Sequence, residues 1–170
     1  MRTVVLTGLS GAGKSTAGPL VALALGCDFV DLDREIERRA GMAVADIFAV
    51  HGEAHFRRLE AEALSDAMSR TRPAVVALGG GALVDPESRR LALARGTVVW
   101  LRVSPEAAAA RCATEGGRPL LAGADGADTL RRLLAAREAA YAQAHHVVET
   151  DGVEAGDVAR RILAAVGGAA

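Results

Sequence analysis

Asparagine is missing from this chain altogether, and among its 20 positive side chains only Lys14 is a lysine; all the others are arginine. A dominant charge is missing too. With 20 basic and 21 acidic residues interspersed, the formal net charge is -1. That excludes a broad basic face for nucleic acid or an anionic membrane, while leaving room for a local pocket of arginines. Cysteine is scarce: Cys27 and Cys112 stand alone, in neither CxxC nor CxxH spacing, and read as free thiols in a reducing compartment. No apolar run approaches the ~20 residues that cross a bilayer; "PLVALALG" (19–26) is far too short. The strand-like "TVVLTG" (3–8) passes directly into a glycine-rich stretch with no signal peptide before it, so a cytoplasmic location is expected. There is no internal repeat and no interdomain linker, and 170 residues suit one domain, 1–170.

What is present alternates between two kinds of segment. Short β-branched runs occur at 3–6, 28–33, 74–81, 97–103 and 145–150. Between them lie alanine-, leucine- and arginine-rich stretches with helical spacing, among them 16–25, 53–70 and 129–144. Apolar runs without strict alternation suit parallel strands covered on both faces. Strands alternating with helices predict βαβ units around a central parallel sheet. The one long irregular stretch, "TEGGRPLLAGADGAD" (114–128), is expected to be functional or mobile.

The lone lysine sits in "GLSGAGKST" (8–16), which fits G-x(4)-G-K-[ST]. Each residue type has a physical reason. Glycines let consecutive N–H groups curl around phosphate oxygens where a Cβ would hinder them. A helix starting near Lys14 aims its N–H groups and dipole at the same anion. Lys14 is a compact charge on a flexible stem, able to reach between β- and γ-phosphates, whereas arginine's planar fork is bulkier. Ser15 offers a hydroxyl to Mg²⁺. A chance match in a chain this long is below about 1% from average residue frequencies. The stretch also follows a strand and opens a helix, the context a P-loop requires. A guanine-specific switch would need an Asn-Lys-x-Asp motif, and the chain has neither asparagine nor a second lysine. A motor-type ATPase needs more chain. A small P-loop kinase is left, and the question becomes its acceptor.

Three segments bear on the acceptor. In "DLDREIE" (31–37), Asp31 and Asp33 stand at a strand end, where ligands bind in open α/β sheets. On an extended segment their i, i+2 spacing points both carboxylates to one side; the plainer reading is a pair of helix-capping aspartates. In "HFRRLEAE" (55–62), Arg57 and Glu60 are three apart on a helix and can pair, although such a pair is usually a solvated face. "LGGGALVDP" (78–86) places three glycines at a strand end, bringing bare backbone N–H groups to a ligand or simply making a tight exit.

Taken with "RPLL" (118–121) and the arginine before a tyrosine in "AAREAAYAQA" (135–144), this ordered set resembles the shikimate kinases over essentially the whole chain. The resemblance implies a five-stranded parallel sheet in order 2-3-1-4-5, flanked by helices, with acceptor-binding helices at about 33–61 and a lid at about 113–126. It implies transfer of the ATP γ-phosphoryl group to the 3-hydroxyl of shikimate with Mg²⁺, on the route to chorismate and aromatic amino acids. Gly11, Ala12, Gly13, Lys14, Ser15 and Thr16 match the family's phosphate cradle. Ser15 and Asp31 match its metal-supporting groups, Asp31 acting through water. Asp33 matches the carboxylate that meets the shikimate hydroxyls, Arg57 and Arg137 the arginines on its carboxylate, and Gly79, Gly80 and Gly81 the triglycine against its ring. Phe48 and Phe56 resemble the apolar walls, Glu60 the partner that orients Arg57, and Arg118 the lid arginine that reaches over the phosphates. Arg111 is the candidate for one adenine face. On the other, where family members carry arginine or proline, this chain has Glu154 and Ala155.

Forked guanidiniums suit a small carboxylate, and a carboxylate beside glycine N–H groups suits its hydroxyls. Phosphoryl transfer asks mainly for positioning and charge neutralisation, here assigned to Lys14, Arg118 and the metal, with Asp33 orienting the hydroxyl. Lid closure would exclude water; an Arg118→Ala variant with intact turnover would remove that role. His51 and His55 share a helix face, but Gly52 lies between them and no third ligand is near, so no metal site is assigned there. The competing readings are a gluconate-type or nucleoside monophosphate kinase, separable by acceptor-dependent ADP release, and a non-enzymatic ATP-binding regulator. A monomer binding only ATP and shikimate is expected.

Overall fold

The computed structural model describes residues 1–115 and 123–167. The elements run β1 (Thr3–Thr7), α1 (Lys14–Leu25), β2 (Asp28–Asp31), α2 (Leu32–Ala40), α3 (Val44–Met68), β3 (Ala74–Ala77), α4 (Pro86–Arg95), β4 (Gly96–Arg102), α5 (Pro105–Glu115), α6 (Gly123–Tyr141), β5 (His146–Glu149) and α7 (Ala155–Gly167). The five strands are parallel in the order β2-β3-β1-β4-β5: parallel as the alternation of segments predicts, and in the order the family resemblance implies.

Period-two alternation in β1 divides the core. Val4 and Leu6 join Val21, Leu101 and Ile162 on one face, while Val5 joins Ile36, Leu64 and Val98 on the other. Each such side chain, fully buried, contributes roughly 1.5–3 kcal/mol. Because both faces are covered, the strands read as unbroken apolar runs. The connection from β1 leads to β2 on one side and that from β3 leads across to β4 on the other, so strand order reverses beside β1. Ligand crevices form outside the carboxyl ends of strands at such a point.

Several boundaries differ from the sequence reading, each for a local reason. The strand expected over 28–33 stops at Asp31, because Asp31 caps α2 and its side chain accepts from the Arg34 N–H at 3.3 Å. Asp33 therefore sits in the first helical turn, and the shared-side argument from an extended segment does not apply to it. The pair is also well placed electrostatically: Asp33 and Glu35 lie at the helix start, Arg38 and Arg39 at its end. β3 ends at Ala77, leaving the triglycine as a turn beyond the strand. The helix expected over 53–70 is the second limb of α3, which begins at Val44 and bends at Gly52 (φ 80°, ψ 170°). Of the stretch read as irregular, Thr114 and Glu115 close α5 and residues 123–128 open α6.

Candidate active site

The loop between β1 and α1 wraps a concave turn. Gly8, Gly11 and Gly13 have φ of 136°, 79° and 92°, values that an L side chain rarely adopts. Gly13 is also the N-cap, and its carbonyl accepts from the N–H groups of Thr16 and Ala17 at 3.2 and 2.8 Å. α5 packs directly on the loop: a Cβ on Gly11 would lie 2.5 Å from the Ala108 carbonyl oxygen. The Lys14 ammonium folds across the turn and donates to the Gly8 and Leu9 carbonyls, both at 2.8 Å. Ser15 Oγ donates to Asp31 Oδ2 at 2.7 Å, so the first residues of α1 and the end of β2 meet. Asp31 therefore both caps a helix and holds Ser15.

The turn after β3 is met by side chains from three other segments, α2, α3 and α6. In α3, Arg57 Nη1 donates to Glu60 Oε2 at 2.6 Å, and its Nε and Nη2 reach Glu53 Oε1 at 3.3 and 3.1 Å. The two carboxylates differ in setting, the Glu60 side chain being 4% exposed and that of Glu53 68%. Burial pushes the Glu60 carboxyl above its ordinary 4.5 and the Asp33 charge adds to this, while Arg57 pulls the other way. For Arg57, burial acts to lower the pKa, but Glu60 and Glu53 outweigh it and keep the guanidinium charged. Phe48 and Phe56 pack with ring centroids 4.6 Å apart, and the Arg57 guanidinium lies 5.4 Å over the Phe56 ring.

The triglycine explains how these segments fit together. A Cβ on Gly79 would lie 2.7 Å from Glu60 Oε1 and 2.8 Å from Asp33 Oδ1. One on Gly80 would lie 2.9 Å from Arg137 Nη1, and one on Gly81 2.5 Å from Arg57 Nη1. None of the three has a positive φ. Glycine is needed here for space, and the space is taken by side chains as well as left open for N–H groups. Asp33, Arg57, Glu60 and Arg137 thus converge on one turn, beside the P-loop, whose Gly8 carbonyl lies 3.4 Å from the Gly80 Cβ position.

Arg111 Nη1 donates to Gly11 O at 3.2 Å and Thr150 Oγ1 at 3.3 Å, and Nη2 to the Thr150 carbonyl. It ties the P-loop to the exit of β5. Glu154 precedes α7, and its carbonyl accepts from the N–H groups of Asp157 and Val158, so Ala155 lies at the helix start. Arg118 lies outside the described residues. His51 and His55 stack across the Gly52 bend with ring centroids 4.8 Å apart, and His55 Nδ1 pairs with Arg58 instead. Two participants escaped the sequence reading. Glu53 was legible as an i, i+4 partner of Arg57. Tyr141, one turn after Arg137 and the chain's single tyrosine, donates its hydroxyl hydrogen to the Gly80 carbonyl.

A doubly covered parallel sheet with a P-loop at its central strand, facing an arginine- and carboxylate-lined turn, defines a P-loop kinase with a small-molecule acceptor. The shikimate kinase family model matches residues 10–167. A shikimate kinase from Thermus thermophilus is 44% identical over 161 residues, covering 94% of this chain and 87% of the relative. Another from Moorella thermoacetica is 43% identical over 163 residues, covering 96% and 93%. The structure of the Acinetobacter baumannii shikimate kinase in complex with shikimate superposes with a TM-score of 0.92 at 37% identity, covering 99% of this chain and 94% of that one. The chain belongs to the shikimate kinase family.

Proposed function

We propose that the chain transfers the γ-phosphoryl group of ATP to the 3-hydroxyl of shikimate, yielding shikimate 3-phosphate and ADP. The observation that carries this reading is the convergence of Arg57, Arg137 and Asp33 on the Gly79–Gly81 turn next to the P-loop. Two guanidiniums match one carboxylate, and a carboxylate with backbone donors matches hydroxyls. Asp33 orients the accepting hydroxyl, and Lys14 spans the phosphates once its bonds to the Gly8 and Leu9 carbonyls are exchanged for phosphate oxygens. Glu60 fixes Arg57, and the Phe48–Phe56 pair gives the ring an apolar wall. Arg111 braces the P-loop from the adenine side, and Arg118 supplies further positive charge over the phosphates.

The Ser15 hydroxyl and Asp31 carboxylate, 2.7 Å apart, are hard oxygen donors of the kind Mg²⁺ selects. They would hold the ion and its water shell, and the ion would supply charge neutralisation at the phosphates. The chain works as a monomer and in the cytoplasm; no described helix is long and apolar enough to cross a membrane. The test is coupled ADP release from MgATP with and without shikimate. Turnover that needs shikimate and collapses in Asp33→Asn is expected, whereas ATP binding without shikimate-dependent turnover would leave the P-loop and remove the acceptor.

A further inference from the structure

Arg137 and Tyr141 occupy the same face of α6, one turn apart, at the end of the helix that meets the triglycine. The tyrosine is completely buried, its ring packed on Trp100 at 5.7 Å between centroids. A buried phenol needs partners for its polar end. Its hydrogen goes to the Gly80 carbonyl, and the Arg137 guanidinium lies against the same glycine, close enough for its charge to act on the phenol. Gly80 closes the triangle: its Cβ position is 2.9 Å from Arg137 Nη1 and 3.4 Å from the Tyr141 hydroxyl. A hydroxyl has one hydrogen and two lone pairs, so it can donate to the turn and accept from the guanidinium at once. Phenylalanine would fill the same volume and do neither. Burial also holds the Tyr141 pKa up against the lowering effect of Arg137, so the hydroxyl keeps its hydrogen at neutral pH.

We infer that Tyr141 is a positioning residue for acceptor binding: its hydroxyl, anchored on Gly80, fixes the Arg137 guanidinium where the substrate carboxylate must be met. The inference rests on the proposed role of Arg137 as a carboxylate holder. Arg57 has its own buried carboxylate to hold it, and Arg137 has the tyrosine in that part. The Glu60 charge also reaches Arg137, so the neutral tyrosine anchor acts there beside a charged one.

The test compares wild type, Tyr141→Phe, Arg137→Ala and the double variant, reading kcat/KM and KM for shikimate and KM for ATP. A lost hydrogen bond to a charged group predicts a rise in shikimate KM of about tenfold in Tyr141→Phe. KM for ATP should stay within about twofold, since the group lies outside the P-loop's own bonds. In the Arg137→Ala background the second substitution should change nothing further. An unchanged KM in Tyr141→Phe, or the same factor in both backgrounds, would overturn the inference and leave Tyr141 as a brace of Gly80 or of the core. If Arg137→Ala by itself leaves shikimate KM unaltered, the carboxylate-holding reading fails and takes this inference with it, a pattern distinct from the previous two. Should Tyr141→Phe not fold, the single tyrosine allows a measurement on the intact protein. Its ¹³Cζ resonance should move on addition of shikimate to wild type and stay still in Arg137→Ala; a resonance that never moves overturns the inference.

Discussion

Two glycine-rich turns stand side by side at the ends of adjacent strands, and they use glycine for different reasons. After β1, Gly8, Gly11 and Gly13 all have positive φ, and the backbone itself makes the concave turn. After β3, Gly79, Gly80 and Gly81 have ordinary φ, and what each lacks is a side chain. Into the three vacated positions come Asp33, Glu60, Arg137 and Arg57 from other parts of the chain. Under the proposed function, the nucleotide end is therefore local and conformational, the acceptor end non-local and steric. The difference suits their ligands. A triphosphate presents many equivalent oxygens that curled N–H groups can meet. A small ring with one carboxylate and several hydroxyls demands distinct groups at distinct places.

The largest effect is expected at the nucleotide end. Lys14→Ala should lower kcat by about 10²–10³-fold, the usual loss on removing one preorganised charge from a developing anion. Lys14→Arg should restore little of it, because the planar fork cannot take the two 2.8 Å positions that one ammonium spans on the Gly8 and Leu9 carbonyls. ADP release at saturating shikimate measures both. An arginine variant with wild-type kcat would mean that charge alone matters there.

A matched pair of alanines tests the contrast between the turns directly. Gly81→Ala leaves φ comfortable but drives its Cβ against the Arg57 guanidinium, the far end of a flexible side chain. The fold should tolerate it, with melting temperature near wild type, while shikimate KM rises roughly tenfold or more as a charge-assisted contact is displaced. Gly13→Ala meets nothing within 4 Å but sits at φ 92°. Its cost should be backbone strain of about 1–2 kcal/mol, read as a lower melting temperature, with shikimate KM unchanged at saturating ATP. Equal behaviour of the two variants would erase the distinction.

The same contrast governs what could be read from sequence. The P-loop lies in nine consecutive residues with spacing that few accidents reproduce, so its location and helix start were legible from residue chemistry alone. The sheet order was not; it came with the family resemblance, and so did the grouping of Asp33, Arg57 and Arg137. Nothing in the spacing of residues 33, 57, 79–81 and 137 says that they meet, since their meeting depends on β3 pairing between β1 and β2. Local reasoning leaves Asp31 and Asp33 between an extended pair and helix-capping aspartates; the capping bond of Asp31 to Arg34 decides for a cap at Asp31 and puts Asp33 on the helix. Tyr141 escaped because its partner, a backbone carbonyl 61 residues away, leaves no mark in composition.

The smallest effects are expected where two carboxylates share Arg57, and they separate burial from mere pairing. Glu60 is buried, and its carboxyl is pushed up from 4.5. The folded chain then holds that proton more tightly than the unfolded one. Its stabilising contribution is complete below the ordinary value and declines as pH rises through the raised folded value. Glu60→Gln lacks this decline, so its stability relative to wild type should improve between pH 4 and pH 7 in urea titrations at the two pH values. Its shikimate KM should nevertheless rise, because Arg57 loses its 2.6 Å anchor. A site residue would then be costing stability in exchange for position. Glu53 makes comparable bonds to the same guanidinium but is 68% exposed, where water screens the pair. Exposed pairs of this kind contribute about 0–1 kcal/mol. Glu53→Gln should accordingly shift shikimate KM by no more than about threefold. A Glu53 variant as damaging to shikimate binding as Glu60→Gln would show that pairing, not burial, is what fixes Arg57.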